Sequence, residues 1–450
     1  MKRDSVKLVI SLLVLMSMLL AACGATAEPT AAPQPTEAEP AAPPAAETPE
    51  KLRVWITWGD DPEQIQELFN RYTEISGIPV EVNSPVEDEK VVAALSGSEP
   101  PDVLVLGGPE PVSTWVNEGL VAPLDDIATA NNIDLEDIYP AMRAQGFLNG
   151  KYYALPWGTD TYALYWNKDL FEEAGLDPEK PPETMSEFAE YADKLTKVEA
   201  DGSISQIGFV PNFSWSHLEQ YVSMFGGYFV SEDGTQFLLD SQPMIDALKW
   251  EQEFYTKYNP EEVIRFTSSL GDYDGPEHGF VSGKVAMMLD GEWFVGDNFI
   301  GAYNPDLWYG IAPLPYPDDH PERAGTNLVA GTVALIPSGV KNLEESGKLF
   351  AWMMSPEIVA DEMVFNFNLP SSKTAAQDPR FAENEKFVKF MELAAGPNTK
   401  HHIFNSVSGE MFTELELLEE EVLYTGADPV PLLQEAQEKL QTMLDDALNQ

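Results

Sequence analysis

Between Leu52 and Leu106 the spacing of apolar residues switches repeatedly between the strand and helix periods, and this alternation limits the fold more than any other feature of the chain. Leu52-Arg53-Val54-Trp55-Ile56-Thr57 alternates and is β-branched, as a strand requires. Asp61-Pro62-Glu63-Gln64 then opens a helix, with Asp at the N-cap, Pro at the first helical position and Gln at the third. Ile65, Leu68, Phe69, Tyr72 and Ile75 recur at helical spacing, and Gly77 ends the run. Residues 79–82 form a second strand, 87–95 a second helix, and 101–106 a third strand, expected to be fully buried. Strand–helix–strand–helix–strand predicts a parallel sheet with helices on both faces. Ligands of such sheets sit beyond the carboxyl ends of the strands. Those ends are Thr57-Trp58-Gly59-Asp60 and Gly107-Gly108-Pro109-Glu110.

The rest of the body continues the α/β pattern. Strands are expected at 162–166, 207–210, 285–289 and 333–336. Helices are expected at 168–174, ended by Gly175, at 185–196, and, long and amphipathic, at 244–258 and 432–448. There is no internal repeat.

The first 50 residues are of another kind. Lys2, Arg3 and Lys7 form a basic start, and 8–20 is apolar but short for a membrane span. Leu20-Ala21-Ala22-Cys23 follows and holds the only cysteine of the chain. It resembles the lipobox of bacterial lipoproteins, which implies a signal peptide at 1–22 and acylation of Cys23; an ordinary signal peptide beside a chance cysteine is the alternative. Residues 24–50 are mostly Pro, Ala, Glu and Thr and carry nothing apolar larger than Ala. Such a segment buries no core. With Cys23 it makes a tether over 23–50, able to reach roughly 80 Å when extended. A body held to the cell membrane by acyl chains, on its outer side, is therefore expected.

Charge and cysteine count narrow the chemistry. Asp and Glu number 75 against 26 Lys and Arg, a formal charge of −49, which disfavours nucleic acid as a partner. Beyond Cys23 there is no disulfide framework, thiol catalyst or Cys-ligated metal. Walker loop, dinucleotide fingerprint, His-Glu-x-x-His and nucleophile elbow are all absent. Carboxylates are too abundant for a pair to be diagnostic, so a glycosidase stays open on that ground. Asp272-Tyr273-Asp274-Gly275 resembles part of a calcium loop, but Leu270 stands where the first ligand belongs, so a turn is expected. His401-His402, as neighbours, do not converge easily on one ion. No metal and no cofactor are expected.

Several phrases, in order, carry a resemblance. Gly150-Lys151-Tyr152-Tyr153-Ala154-Leu155-Pro156 precedes Leu164-Tyr165-Trp166-Asn167-Lys168-Asp169-Leu170-Phe171-Glu172-Glu173-Ala174-Gly175-Leu176. Pro181-Pro182-Glu183-Thr184-Met185-Ser186-Glu187, Phe225-Gly226-Gly227 and Phe280-Val281-Ser282-Gly283-Lys284-Val285-Ala286-Met287-Met288-Leu289-Asp290-Gly291-Glu292-Trp293 follow. Together they resemble the extracellular solute-binding proteins of ABC importers, in the sugar-binding, maltose-binding-protein-like group. Trp166 and Met185 depart from the Tyr and Trp usual there. The resemblance implies a two-lobe periplasmic-binding fold with a multi-strand hinge and a ligand cleft between the lobes. It places lobe 1 at 51–159 plus 330–369 and lobe 2 at 160–329 plus 370–450, with crossings near Thr159-Asp160, Ala330-Gly331 and Leu369-Pro370. It also implies a monomer that delivers its solute to membrane permease subunits.

Sugars present flat C–H faces and many hydroxyls, which aromatic plates and a few polar groups recognise. Trp55, Trp166, Trp115, Trp250 and Trp352 fall within strands or helices and are expected in the core. Trp58, Trp157, Trp215, Trp293 and Trp308 fall at strand ends or in loops. By the resemblance, Trp293 stacks on sugar rings, Asp160 takes the place of a hydroxyl-binding acid, and the loop with Asn212 and Trp215 supplies an aromatic from lobe 2. Trp58, Asp60, Trp157, Asp160, Asn212, Trp215, Glu292 and Trp293 form the expected site. Capture of a sugar or oligosaccharide by hinge closure is the expected function. A polyol, peptide or glycerophosphodiester ligand, or a secreted glycan-active enzyme, are the alternatives.

Overall fold

The computed structural model describes residues 51–59, 61–215 and 217–449. Cys23, the tether and Asp60 lie outside the described residues. Strands β1 (Leu52–Ile56), β2 (Val80–Asn83) and β3 (Val103–Leu106) alternate with helices α1 (Pro62–Ser76) and α2 (Asp88–Leu95). After α3 (Val112–Asn117) come β4 (Ala154–Pro156) and the ten-residue β5 (Gly158–Asn167), then α4 (Leu218–Met224) and α5 (Gln242–Tyr258). Strands β6 (Met287–Gly291), β7 (Tyr309–Ala312), β8 (Asn327–Ala330), β9 (Val333–Leu335), β10 (Leu369–Pro370) and β11 (Thr399–His401) follow, and α6 (Ser408–Thr425) and α7 (Pro429–Leu448) close the body.

Local chemistry sets the first elements. The Asp61 carboxylate accepts the N–H of Gln64 at 3.0 Å, Pro62 needs no amide partner, and Gly77 ends α1 at φ +75°, a conformation that glycine adopts without strain. Ile65, Phe69 and Tyr72 are buried, whereas Ile75 is exposed, so the buried stripe stops one turn before the helix does.

The first sheet runs β2-β1-β3-β9-β4. β1 lies parallel to β2 and β3, as the alternation predicts; β9 then inserts antiparallel between β3 and β4. The sheet is therefore mixed, because a strand from far along the chain completes it. The second sheet is built around β5, every residue of which is buried. β6, β7, β8 and β10 all pair with β5 in antiparallel register, and β8 also pairs with β11. The expected strand at 207–210 is absent: Ile204–Gln206 pairs with Lys197–Val198 instead, and Ile207 makes only an isolated bridge to Val285.

Two large apolar cores result. One joins α1 and the first sheet to Tyr165, Phe280, Met288 and Phe294 around β5. The other packs α4, α5, α6 and α7 beneath Leu164, Trp166, Met287 and Leu289. The amino end of β5 pairs with β10, Leu369 opposite Thr159, and its next residues pair with β8, Ala330 opposite Asp160. Three segments distant in sequence thus lie side by side where the two bodies meet. Among the described residues no helix is long and apolar enough to cross a membrane.

Candidate functional site between the two sheets

The carboxyl ends of β1 and β3 open on one side of this junction. Gly107 N–H donates to Thr57 Oγ1 at 3.2 Å and ties the two strand ends together. Trp58 is half-buried there and packs on the first core, while its indole N–H is buried without a partner among the described residues. Glu110 follows β3. Its burial, with the charges of Glu219 and Asp160, pushes its carboxyl up to about 7, and His217 opposes this.

Asp160 lies on β5 at the junction, only 7% exposed, and accepts from Asn368 Nδ2 at 3.0 Å. Burial pushes its carboxyl up to about 7. Tyr162, two residues on and so on the same face of the strand, stands within reach of the charges of Asp160, Glu219, Asp290 and Glu292.

The second body supplies a set of fixed aromatics. Trp293 Nε1 donates to the Tyr273 hydroxyl at 2.7 Å, and that hydroxyl donates to Asp290 Oδ1 at 3.0 Å. Gly291 N–H donates to the same oxygen at 2.7 Å, and Ser214 donates to the other. Burial still pushes the Asp290 carboxyl up to about 7 against these bonds. Tyr162 meets the Trp293 ring edge-on, with centroids 5.9 Å apart. Trp215, 50% exposed, stands edge-on to Tyr273 at 6.1 Å and to His217 at 6.0 Å. Gly291 is required here, because a Cβ would enter the six-membered ring of Trp293.

The two bodies also touch directly. Gly409 N–H, in the first turn of α6, donates to Ser113 Oγ at 2.9 Å, and Asn117 Nδ2 donates to Ser406 O at 2.6 Å. A Cβ on Gly409 would meet Thr114 Oγ1 and lie 3.2 Å from the Glu110 carbonyl.

The expected site residues divide accordingly. Asp160, Trp215 and Trp293 come together with Tyr162, Tyr273, His217 and Glu219, and Trp58 stands at the strand ends beside Glu110. Trp157 is corrected: it has no exposed surface, packs on Phe69 and donates through Nε1 to Met353 O at 3.1 Å, so it belongs to the core. Its register explains this, since it alternates with the buried Leu155. Glu292 is corrected as well: wholly buried, it gives its oxygens to the backbone N–H groups of Thr161 and Leu369. Burial and the neighbouring Asp160 charge push its carboxyl up, and the two N–H donors pull against them. Asn212 is held by the Tyr255 hydroxyl at 2.7 Å and by Tyr424, away from the aromatic set. Trp308 lines a separate surface groove of about 640 Å³ with Lys168, Lys386 and Lys389.

Glu110, Tyr162, His217, Glu219 and Tyr273 were missed as site residues. Two had a signal: Glu110 ends the third strand, and Tyr162 shares a strand face with Asp160. His217 and Glu219 had none, for only the packing of α4 brings them in. Among the described residues no group of three or more His, Cys, Asp or Glu could hold a metal ion.

Comparison with known proteins gives the family. Residues 57–360 match the family of bacterial extracellular solute-binding proteins. The maltotriose-binding protein of Pyrococcus abyssi is 23% identical over 68% of this chain and 62% of its own length. The sn-glycerol-3-phosphate-binding periplasmic protein UgpB of Escherichia coli (strain K12) is 24% identical over 58% of this chain and 60% of its own. The chain thus matches about 60% of the length of these curated relatives. Among solved structures, CpMnBP1 with mannotriose bound is 26% identical with a TM-score of 0.78, covering 87% of this chain and 99% of that one. With a two-lobe fold and an aromatic, carboxyl-lined junction between its sheets, the chain belongs to the bacterial extracellular solute-binding proteins.

Proposed function

We propose that the protein captures a sugar or oligosaccharide between its lobes and hands it to the membrane subunits of an ABC importer. The observation that carries this reading is the Trp293–Tyr273–Asp290 chain. It fixes an aromatic face beside Tyr162, with the Asp160 carboxyl on the same strand. A flat C–H face stacks on such a ring while ring hydroxyls donate to the carboxyls. Closure follows from ligand bridging the lobes, because contacts to both sides exist only in the closed arrangement. Lobe 1 at 51–159 plus 330–369 and lobe 2 at 160–329 plus 370–450 are the moving bodies. β5, β8 and β10 are the crossings, and acylated Cys23 with its tether keeps the protein at the outer face of the membrane.

The relatives include binders of oligosaccharides and of sn-glycerol-3-phosphate, and the charges favour the first of these ligand classes. Burial is the largest influence on Glu110, Tyr162 and Asp290; among the charges named beside it are the carboxyls of Glu219 and Asp160 on Glu110 and Tyr162, and the His217 imidazole on Glu110 and Asp290. A phosphate brought among those carboxyls meets repulsion, whereas a neutral sugar finds acceptors. A thermal-shift panel of manno-, malto- and galacto-oligosaccharides, polyols, peptides and glycerophosphodiesters tests this, with a product assay on the same samples. An uncleaved neutral oligosaccharide should raise the melting temperature. A phosphodiester that does so while every neutral sugar fails would overturn the reading, and sugar cleavage would return the chain to the glycan-active enzymes.

A further inference from the structure

Glu292 opens a short 3-10 turn, Glu292–Val295, directly after β6. Its Oε2 accepts the N–H of Thr161 at 2.9 Å, and its Oε1 accepts the N–H of Leu369 at 3.2 Å. Thr161 belongs to β5 and stands opposite Val329 of β8; Leu369 belongs to β10 and stands opposite Thr159. One side chain at the end of β6 therefore ties together two of the segments that cross between the bodies. Asp160 makes a parallel connection, since its carboxyl holds the side chain of Asn368, the residue just before Leu369.

We infer that Glu292 is a positioning residue of the hinge, a carboxyl staple that holds β5 and β10 in one register and so sets how the lobes close. The inference rests on reading β5, β8 and β10 as the lobe crossings. Two N–H donors from different strands need two acceptor oxygens. A carboxylate supplies both. A glutamine amide supplies one acceptor and turns a donor toward the other N–H. That N–H, buried and unpaired, drives its strand away from the other. Asp160 carries no such demand, because its Asn368 donor is satisfied by one oxygen. Burying a carboxylate for two backbone bonds is a poor route to stability alone; joining two crossings is what this position achieves.

The test needs no ligand. In the full chain carrying Cys23→Ser, spin labels at Glu67→Cys on α1 and Thr256→Cys on α5, both exposed positions, report the distance between the bodies. Glu292→Gln should at least double the width of that distance distribution. Hydrogen exchange at the Thr161 or Leu369 amide should speed up at least tenfold, with the amides of β1 and α5 unchanged. An unaltered distribution together with unaltered exchange at both amides would overturn the staple. Should Glu292→Gln not fold, the wild type decides. The two amides must then be protected together, and free exchange at one beside protection at the other refutes the inference. A widened hinge in a protein that binds no sugar would leave the staple standing and the solute reading fallen.

Discussion

Replacing Asp160 by Asn isolates the cost of holding an acid at the junction. The carboxyl is 7% exposed and burial raises it from 3.8 to about 7. The folded state therefore binds this proton more tightly than the unfolded chain does. Below the unfolded value both states are protonated, and the acid costs nothing. As pH rises toward 7 the unfolded chain gives up its proton while the native state keeps it, so stability falls; above 7 the loss is complete. About 3 pH units at ~1.4 kcal/mol each set a ceiling of about 4 kcal/mol. Sharing charge with Glu292 lowers this to about 2–4 kcal/mol at pH 8. Asparagine keeps an oxygen for Asn368 Nδ2 and does not titrate. With an unfolding entropy of ~2.1 cal/mol/K per residue over about 400 residues, the variant should melt about 2–5 °C above wild type at pH 8. The difference should shrink toward zero near pH 4. Calorimetry of the unliganded proteins across pH 4–8 reads it directly, and taking the difference cancels the other acids. A gap that stays constant with pH, or a variant that melts lower at pH 8, would refute the argument.

Other outcomes follow from the same geometry. Trp293→Ala should weaken binding of the sugar found in the thermal-shift panel by about 1–3 kcal/mol, read by calorimetric titration; normal affinity with a much lower melting temperature would return that ring to the core. Trp157→Ala should do the reverse, costing about 3–5 kcal/mol of stability by denaturant unfolding while affinity at saturating folded protein holds. Gly409→Ala puts a methyl against Thr114 and the Glu110 carbonyl, so closure should become harder and affinity fall about tenfold, or ~1.4 kcal/mol, with the unliganded melting temperature unchanged. Cys23→Ala should release the protein from membranes, judged by fractionation, without altering its affinity.

What the sequence alone determined about this protein lies within a few residues along the chain. The Asp61 cap, Pro62, and Gly77 at the end of α1 act on their own neighbours, and the periods of β1, α1 and β3 name their buried faces. The strand-end rule pointed to Trp58 for the same reason, and the ordered phrases from Gly150 to Trp293 named the family. Tertiary structure alone decided the rest, because the deciding contacts join distant residues. β9 enters beside β3 and makes the sheet mixed; nothing near Val333 states which strand it will meet. Trp157 and Trp293 look alike in sequence, both within two residues of a glycine in loops or strand ends. Packing against Phe69 buries the first, and a bond to Tyr273 fixes the second at the junction. Asp160 and Asn368, 208 positions apart, meet only when β10 pairs with β5. Glu292 turns from an expected ligand contact into a hinge acid because the Thr161 and Leu369 amides converge on it. A carboxylate bonds whichever donors the fold brings within about 3 Å, and local sequence carries no information on which those will be.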